Sequence, residues 1–295
     1  MIKPFLKWVG GKRQLIKTIK GLLPDDYEER VHIEPFVGGG AVVLSLQPRS
    51  AFISDYNEDL IDTYHCIAKY YDRERLFDIL FSMKNTKEDY YKYRDKYNQR
   101  MNGTSKALTE EEKIEKKIEK SALFIYLNRT GFNGMYRVNQ YGKLNVPWGH
   151  NPHEDMSSFF NLDDVRETSA YLRNHAQIWK GSYDTVVDSL LHHNNEKQFW
   201  YLDPPYAPLD KDIERGNFTA YTTFPGWELA EQIKLRDKCE EIDKAGQKFM
   251  LSNSSCTLVK DLYKKFNLQE VDAKRMISAK KESRDGCKEV IVTNY

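Results

Sequence analysis

Arg30-Val31-His32-Ile33-Glu34-Pro35-Phe36-Val37-Gly38-Gly39-Gly40, followed by Ala41–Leu46 and then Ala51-Phe52-Ile53-Ser54-Asp55, is the stretch on which the fold turns. Arg30–Glu34 reads as a short strand and Pro35–Gly40 as a glycine turn. Ala41–Leu46 starts a helix, and Ala51–Ser54 is a second strand ending at Asp55. Strand, turn, helix, strand is a βαβ unit, and strands joined by a crossover helix lie parallel in one sheet. Upstream, Gln14–Leu23 has apolar residues at 15, 16, 19, 22 and 23, the spacing of an amphipathic helix, and Pro24 follows it. The α/β pattern resumes after residue 161. Phe199–Leu202 predicts a strand, Trp227–Ala245 a helix, Lys248–Ser252 a strand and Val290–Thr293 a last strand.

Between these parts the pattern changes. Leu60–Tyr71 and Glu74–Met83 predict helices, and Lys84–Arg100 is polar and rich in tyrosine. Thr109-Glu110-Glu111-Glu112 is a capping box that opens a long helix with Ile114, Ile118 and Ile125 on one face. Asn128–Gly149, dense in glycine, asparagine and aromatics, predicts an exposed functional loop or hairpin. The expected organisation is one α/β domain, residues 1–56 plus 161–295, interrupted by a mostly helical insertion over 57–160.

Composition narrows the function classes. The 45 Lys and Arg against 44 Asp and Glu give a net charge of +1, so a generally basic, histone-like protein is excluded and any nucleic-acid contact must use local patches. The mean hydropathy is −0.71, and no apolar run approaches the ~18 residues of a membrane span. The first residues, MIKPFLKWVGGKRQ, show no apolar signal core, so a cytoplasmic protein with no membrane partner is expected. Four scattered cysteines without a C-x-x-C pair argue against a disulfide scaffold or zinc ribbon. The seven histidines show no metal spacing, and no metal is expected.

Tyr201-Leu202-Asp203-Pro204-Pro205-Tyr206 carries the chemistry. A carboxylate ends a hydrophobic strand, where open α/β sheets place their ligands. Pro204 and Pro205 lack N–H donors and fix φ, so the turn is stiff and its carbonyls can face a ligand. The lone pair of an exocyclic amine such as adenine N6 is conjugated into the ring and weakly nucleophilic. The Asp203 carboxylate and the Pro204 carbonyl can grip its two N–H bonds and free that lone pair, while Tyr206 stacks on an extruded base. A Pro-Pro turn that merely closes a strand would explain the prolines but not the flanking acid and aromatic. The glycine turn at Gly38 lets backbone approach a ligand, but Val43 stands where a dinucleotide fingerprint needs its third glycine. Asp55, at another strand end, can accept bonds from ribose hydroxyls. Lys7-Trp8-Val9-Gly10-Gly11-Lys12 invites a phosphate-loop reading, which Leu6 and Arg13 exclude.

Taken together, Lys7–Lys12, Glu34–Gly40, Asp203–Tyr206 and Asn217-Phe218-Thr219-Ala220-Tyr221 resemble the Dam-type, DpnM-like D12 class of DNA adenine-N6 methyltransferases in the α motif order. The resemblance implies a Rossmann-like S-adenosylmethionine-dependent methyltransferase sheet with an inserted, mostly helical target-recognition domain. It implies S-adenosyl-L-methionine as donor and S-adenosyl-L-homocysteine as product. By motif position, Trp8, Lys12, Asp55 and Asp203 would contact the donor, with Phe36 and Gly38 beside it. Two departures stand out: Gly-Gly-Gly replaces the usual Gly-Ala-Gly turn, and the stretch Lys84–Lys117 is longer and more charged than in shorter relatives.

In the stretch from Asn128 to Lys143 there are three basic residues, Arg129, Arg137 and Lys143, and no acid. Arginine can pair with guanine through two hydrogen bonds, and asparagines such as Asn133 and Asn139 can do so with adenine. Phe132 can wedge into the gap left by a flipped base. The family resemblance assigns guanine reading to Arg137 and apolar contacts to Met135 and Pro147, and it suggests GATC as the site. Tyr91–Arg100 and Lys274–Arg284, the latter with Lys274 and Arg275, are candidates for phosphate contact. The expected partner is double-stranded DNA. The chain is expected to act as a monomer, and a restriction endonuclease would be a partner in function only, in a restriction-modification or Dam-like role. Two other readings keep the sequence features: an RNA adenine methyltransferase, and a non-catalytic DNA-binding module on a methyltransferase fold. A protein-amide acceptor is disfavoured, on resemblance, by Asp rather than Asn at 203.

Overall fold

The βαβ unit forms as its residue pattern requires. β1 (Val31–Glu34) and β2 (Ala51–Asp55) run parallel, with Ile33 opposite Phe52. The chain between them carries α2 (Ala41–Leu46), and α1 (Ile16–Gly21) precedes β1. The structure, a computed structural model, describes residues 2–100, 108–191, 196–210, 227–272 and 288–295. It divides into two units. The first comprises Met1–Gly11, Gly38–Gln47 and Asn57–Lys180, the second Lys12–Val37, Pro48–Tyr56 and Gly181–Tyr295.

The second unit is built on a sheet. Six of its seven strands lie there: β1, β2, β4 (Gln198–Leu202), β5 (Lys248–Ser254), β6 (Asn267–Asp272) and β7 (Lys288–Thr293), in the order β2-β1-β4-β5-β7-β6. The first four are parallel, β7 is antiparallel to β5, and β6 is antiparallel to β7. Central parallel strands are covered on both faces and therefore read as unbroken apolar runs. Phe199, Trp200, Tyr201 and Leu202 of β4 are all fully buried. Trp200 and Leu202 share a core with Ile33, Phe249 and Leu251 and with residues of α8 (Tyr183–Leu190), α9 (Leu229–Lys244) and α10 (Thr257–Leu262), among them Val186, Leu235 and Val259. The C-terminal ends of the parallel strands share one edge, so Glu34, Asp55 and Asp203 all belong to it. The antiparallel β7 begins at that same edge, with Glu289 opposite Ser254.

The first unit is mostly helical: α2, α3 (Glu58–Ala68), α4 (Tyr70–Phe81), α5 (Lys87–Arg100), α6 (Glu110–Thr130) and α7 (Leu162–His175), with β3 (Ala176–Lys180). α6 packs on α3, α4 and α5. Its capping box is formed, Thr109 Oγ1 accepting from the Glu112 amide at 3.2 Å and Glu112 Oε2 accepting from the Thr109 amide at 2.8 Å. Ile118 and Ile125 are buried, but Ile114 is 45% exposed, because the buried face of α6 begins only after its Glu- and Lys-rich first turns. The break between α3 and α4 falls at Lys69, which is extended (φ −91°, ψ 131°). Among the described residues no helix is long and apolar enough to cross a membrane.

Candidate functional site

In the second unit the buried β4 delivers Asp203 to the sheet edge as a single fixed carboxylate. Lys12 Nζ lies 2.8 Å from Asp203 Oδ1, with only 4% of the lysine side chain exposed and 19% of the aspartate. The pair explains the burial of Lys12, because an unpaired buried cation would cost several kcal/mol. The same ammonium lies 4.8 Å from the centroid of the Tyr206 ring. The Tyr206 hydroxyl donates to Glu289 Oε2 at 2.7 Å. Behind the turn, Gln232 Nε2 donates to the Pro205 carbonyl at 3.0 Å and the Ala207 amide donates to Asn253 Oδ1 at 3.0 Å. Gln232 and Asn253 are themselves joined, Asn253 Nδ2 donating to Gln232 Oε1 at 3.2 Å, and both are buried. The Pro-Pro turn is thus held from α9, β5 and β7. Burial pushes the Asp203 carboxyl up to about 6, the Lys12 ammonium opposes this, and the Glu289 and Glu34 carboxylates add to it. At neutral pH the group remains mostly ionised and serves as an acceptor.

Phe36 stacks on Tyr183 (5.2 Å, 26°) and meets Trp227 edge-on (5.6 Å, 88°). The Trp227 indole N–H is buried and has no acceptor among the described residues. The Tyr183 hydroxyl donates to Glu231 at 3.1 Å. Asp55 is buried at the end of β2, and its carbonyl accepts from the Gly181 amide at 3.2 Å. An aromatic cluster with an orphaned N–H suits a purine, and strand-end carboxylates suit ribose hydroxyls and a positively charged group. These residues therefore fit S-adenosyl-L-methionine. Tyr183, Trp227, Gln232, Asn253 and Glu289 escaped the sequence reading. The available signals were weak: Asn253 and Ser254 are polar residues closing an apolar strand, and Glu289 is an acid opening one.

Trp8 and Gly38 belong to the first unit. Gly38 has φ +48°, and a Cβ there would lie 2.7 Å from Trp8 Cδ1. The bare backbone therefore admits the indole, which also stacks on Tyr136 at 5.9 Å and 18°. Asn128 ties this strand of chain to the hairpin: its Oδ1 accepts from the Lys7 amide at 2.9 Å, and its Nδ2 donates to the carbonyls of Lys7 (2.6 Å) and Gly134 (3.2 Å).

The stretch 128–149 forms a hairpin in which Val138 pairs with Leu144. Arg137 is exposed, and its Nε donates to Asn145 Oδ1 at 2.8 Å. Phe132 is 48% exposed, and Asn133 adopts φ +54° beside it. Pro147 is exposed, and its carbonyl accepts from the Phe132 amide at 2.9 Å. Met135 is half-buried. The Asn139 carboxamide oxygen accepts from the amides of Tyr141 and Lys143, so it shapes the turn. Arg129 is half-buried: it donates to the Phe159 carbonyl and covers the Phe160 ring at 5.0 Å. Tyr91–Arg100 lies in α5, which supports the hairpin. Tyr90 Oη and Arg94 both donate to the Val146 carbonyl, at 2.9 and 3.1 Å. Asn98 bonds both the amide and the carbonyl of Leu144. Lys274, Arg275 and Asn217–Tyr221 lie outside the described residues.

The sheet, its parallel strands and its edge of strand-end carboxylates are those of a Rossmann-like methyltransferase fold that uses S-adenosylmethionine. The chain belongs to the D12 class of N6 adenine-specific DNA methyltransferases, whose family model matches residues 8–277. It is similar to the type II methyltransferase M1.LlaDCHI of Lactococcus lactis subsp. cremoris, 36% identical over 297 residues that cover all of this chain and 96% of the relative. It is 37% identical over 314 residues to the type II methyltransferase M.MjaIII of Methanocaldococcus jannaschii, covering all of this chain and 99% of that protein. The DNA adenine methylase of Escherichia coli (strain K12) is 29% identical over 294 residues, 98% of this chain and 94% of that one.

Proposed function

We propose that this protein is a site-specific, base-flipping methyltransferase that acts on adenine N6 in duplex DNA, within GATC, in a cytoplasm of bacterial or phage-infected cells. Its role is Dam-like or that of the modification half of a restriction-modification pair. S-adenosyl-L-methionine supplies a methyl group carried on a sulfonium. Trp8, Lys12, Phe36, Gly38, Asp55 and Asp203 hold the donor, and Asp203, Pro204, Pro205 and Tyr206 form the catalytic turn. The Asp203 carboxylate and the Pro204 carbonyl accept the two N6–H bonds, which favours a pyramidal nitrogen with a free lone pair. The C–N bond forms as the C–S bond breaks, and N6 then sheds one proton. Because the sulfonium charge disperses as this happens, the protein's main tasks are alignment and hydrogen bonding to N6. Residues 57–160 would form the recognition domain, with Arg129, Phe132, Asn133, Met135, Arg137, Asn139 and Pro147 facing DNA and Lys274 and Arg275 on phosphates. Of the hairpin side chains, Arg137 is the one whose exposure best suits base reading, whereas Arg129 would first have to leave Phe159.

The observation that carries this reading is the corner in which Lys12 grips Asp203 beneath the Tyr206 ring. Long-read mapping of 6-methyladenine in a methylation-free host expressing the chain tests it. Full modification of GATC is expected. Methylation confined to RNA, or none on any adenine, would overturn it.

A further inference from the structure

We propose that Glu289 is a positioning residue for the reaction: its carboxylate fixes the Tyr206 ring over the Pro-Pro turn and its charge adds to that of Asp203. The inference rests on the reading of that turn as the adenine site. Three observations lead to it. First, β7 runs antiparallel to β5, which brings an acid from the far end of the chain to the edge where β4 ends. Second, the Tyr206 hydroxyl donates to Glu289 Oε2 at 2.7 Å, so an aromatic ring that could otherwise rotate about its side-chain torsions is tethered at its tip. Burial holds the Tyr206 phenol well above the usual tyrosine range, so it stays a donor at every working pH. Third, the carboxylates of Glu289 and Glu34 act on Asp203 along with its ion-pair partner Lys12, and the phenols of Tyr201 and Tyr206 lie within reach of its charge. Charge in excess of Lys12 favours a cationic ligand such as a sulfonium and strengthens Asp203 as an acceptor of N–H bonds.

Gln232 and Asn253 also hold the turn, through bonds that do not involve Glu289. Two variants separate the tether from the charge. Glu289→Gln keeps an acceptor for the Tyr206 hydroxyl and removes the charge, whereas Glu289→Ala removes both. Glu289→Gln is expected to lower the titration midpoint of the Asp203 carboxyl, read by carbon-13 NMR on the labelled full-length protein, by about half a pH unit or more. The acid limb of kcat/KM should move with it. Glu289→Ala is expected to lower kcat about tenfold, and Glu289→Gln by less, since its amide still holds the ring. An unmoved Asp203 titration in Glu289→Gln together with kcat within twofold of wild type in Glu289→Ala overturns the proposal. If Glu289→Ala does not fold, the Asp203 titration in Glu289→Gln decides alone. If the wild-type protein transfers no methyl group to adenine, the proposed function fails, while the NMR titration still judges Glu289.

Discussion

In the mechanism proposed above Asp203 has two demands on it: it would have to be ionised to accept bonds from N6, and it sits where ionisation is disfavoured. Its ordinary value of 3.8 is raised to about 6 by burial, in spite of Lys12. The unfolded chain therefore loses this proton first, and the folded protein retains it between about pH 4 and pH 6. Within that window the contribution of Asp203 to stability falls as pH rises. Activity runs the other way. Protonation removes an acceptor, so kcat/KM is expected to drop roughly tenfold per pH unit below about 6 and to level off above 7. The limb of kcat should lie at lower pH than that of kcat/KM, because bound donor and adenine favour the carboxylate. Asp203→Ala should lower turnover by at least ~10²-fold at pH 7.5 in a tritiated-methyl transfer assay. Gly38 is a purely steric case. With φ +48° and Trp8 Cδ1 at 2.7 Å from where a Cβ would stand, Gly38→Ala should destabilise the fold by about 1–3 kcal/mol, measured as a lower denaturant midpoint.

The hairpin 128–149 owes its shape to α5 as much as to its own turn. Asn98 pairs with both backbone groups of Leu144, and Tyr90 and Arg94 share the Val146 carbonyl. Asn98→Ala should therefore raise KM for DNA severalfold while leaving donor affinity, read by calorimetry, within twofold. Arg137→Ala should cost on the order of 1–3 kcal/mol at one base position and little elsewhere, as measured by binding to singly substituted sites. The support from α5 was invisible in the sequence, where Tyr91–Arg100 looked as much like a phosphate-binding stripe as anything else. Its tyrosines are spaced for burial, yet its high charge hides the face. β1, β2, β4 and β5 were legible because strands covered on both faces carry apolar runs, unbroken in Phe199–Leu202 and interrupted elsewhere by buried polar residues such as His32 and those at the strand ends. β3 and β6 were not. β6 is an exposed edge whose Glu270 pairs with Lys260 and Lys288, and an edge needs charges rather than an apolar run.

A candidate site assembled from positions 12, 203 and 289 can be only partly read from a linear chain. Lys12 and Asp203 sit in recognisable local patterns, whereas Glu289 reaches Tyr206 only because the last strands run antiparallel. Charge is the other property that belongs to the molecule entire. A balance of 45 cations against 44 anions means that no overall field holds this protein on DNA, so its grip must come from a few local cations. Each phosphate neutralised releases counterions, and the logarithm of the association constant falls against the logarithm of salt with a slope of about −0.9 per contact. Phosphate-binding and base-reading residues then part ways. Lys274→Ala with Arg275→Ala should reduce the slope by about 2 and weaken all duplexes alike, with the methylated sequence unchanged. Arg137→Ala should leave the slope near its wild-type value and relax the sequence. Fluorescence anisotropy on GATC and scrambled duplexes from 50 to 300 mM salt checks both. A shallow slope confined to the Arg137 variant would move that residue onto a phosphate and return the task of base reading to its neighbours in the hairpin.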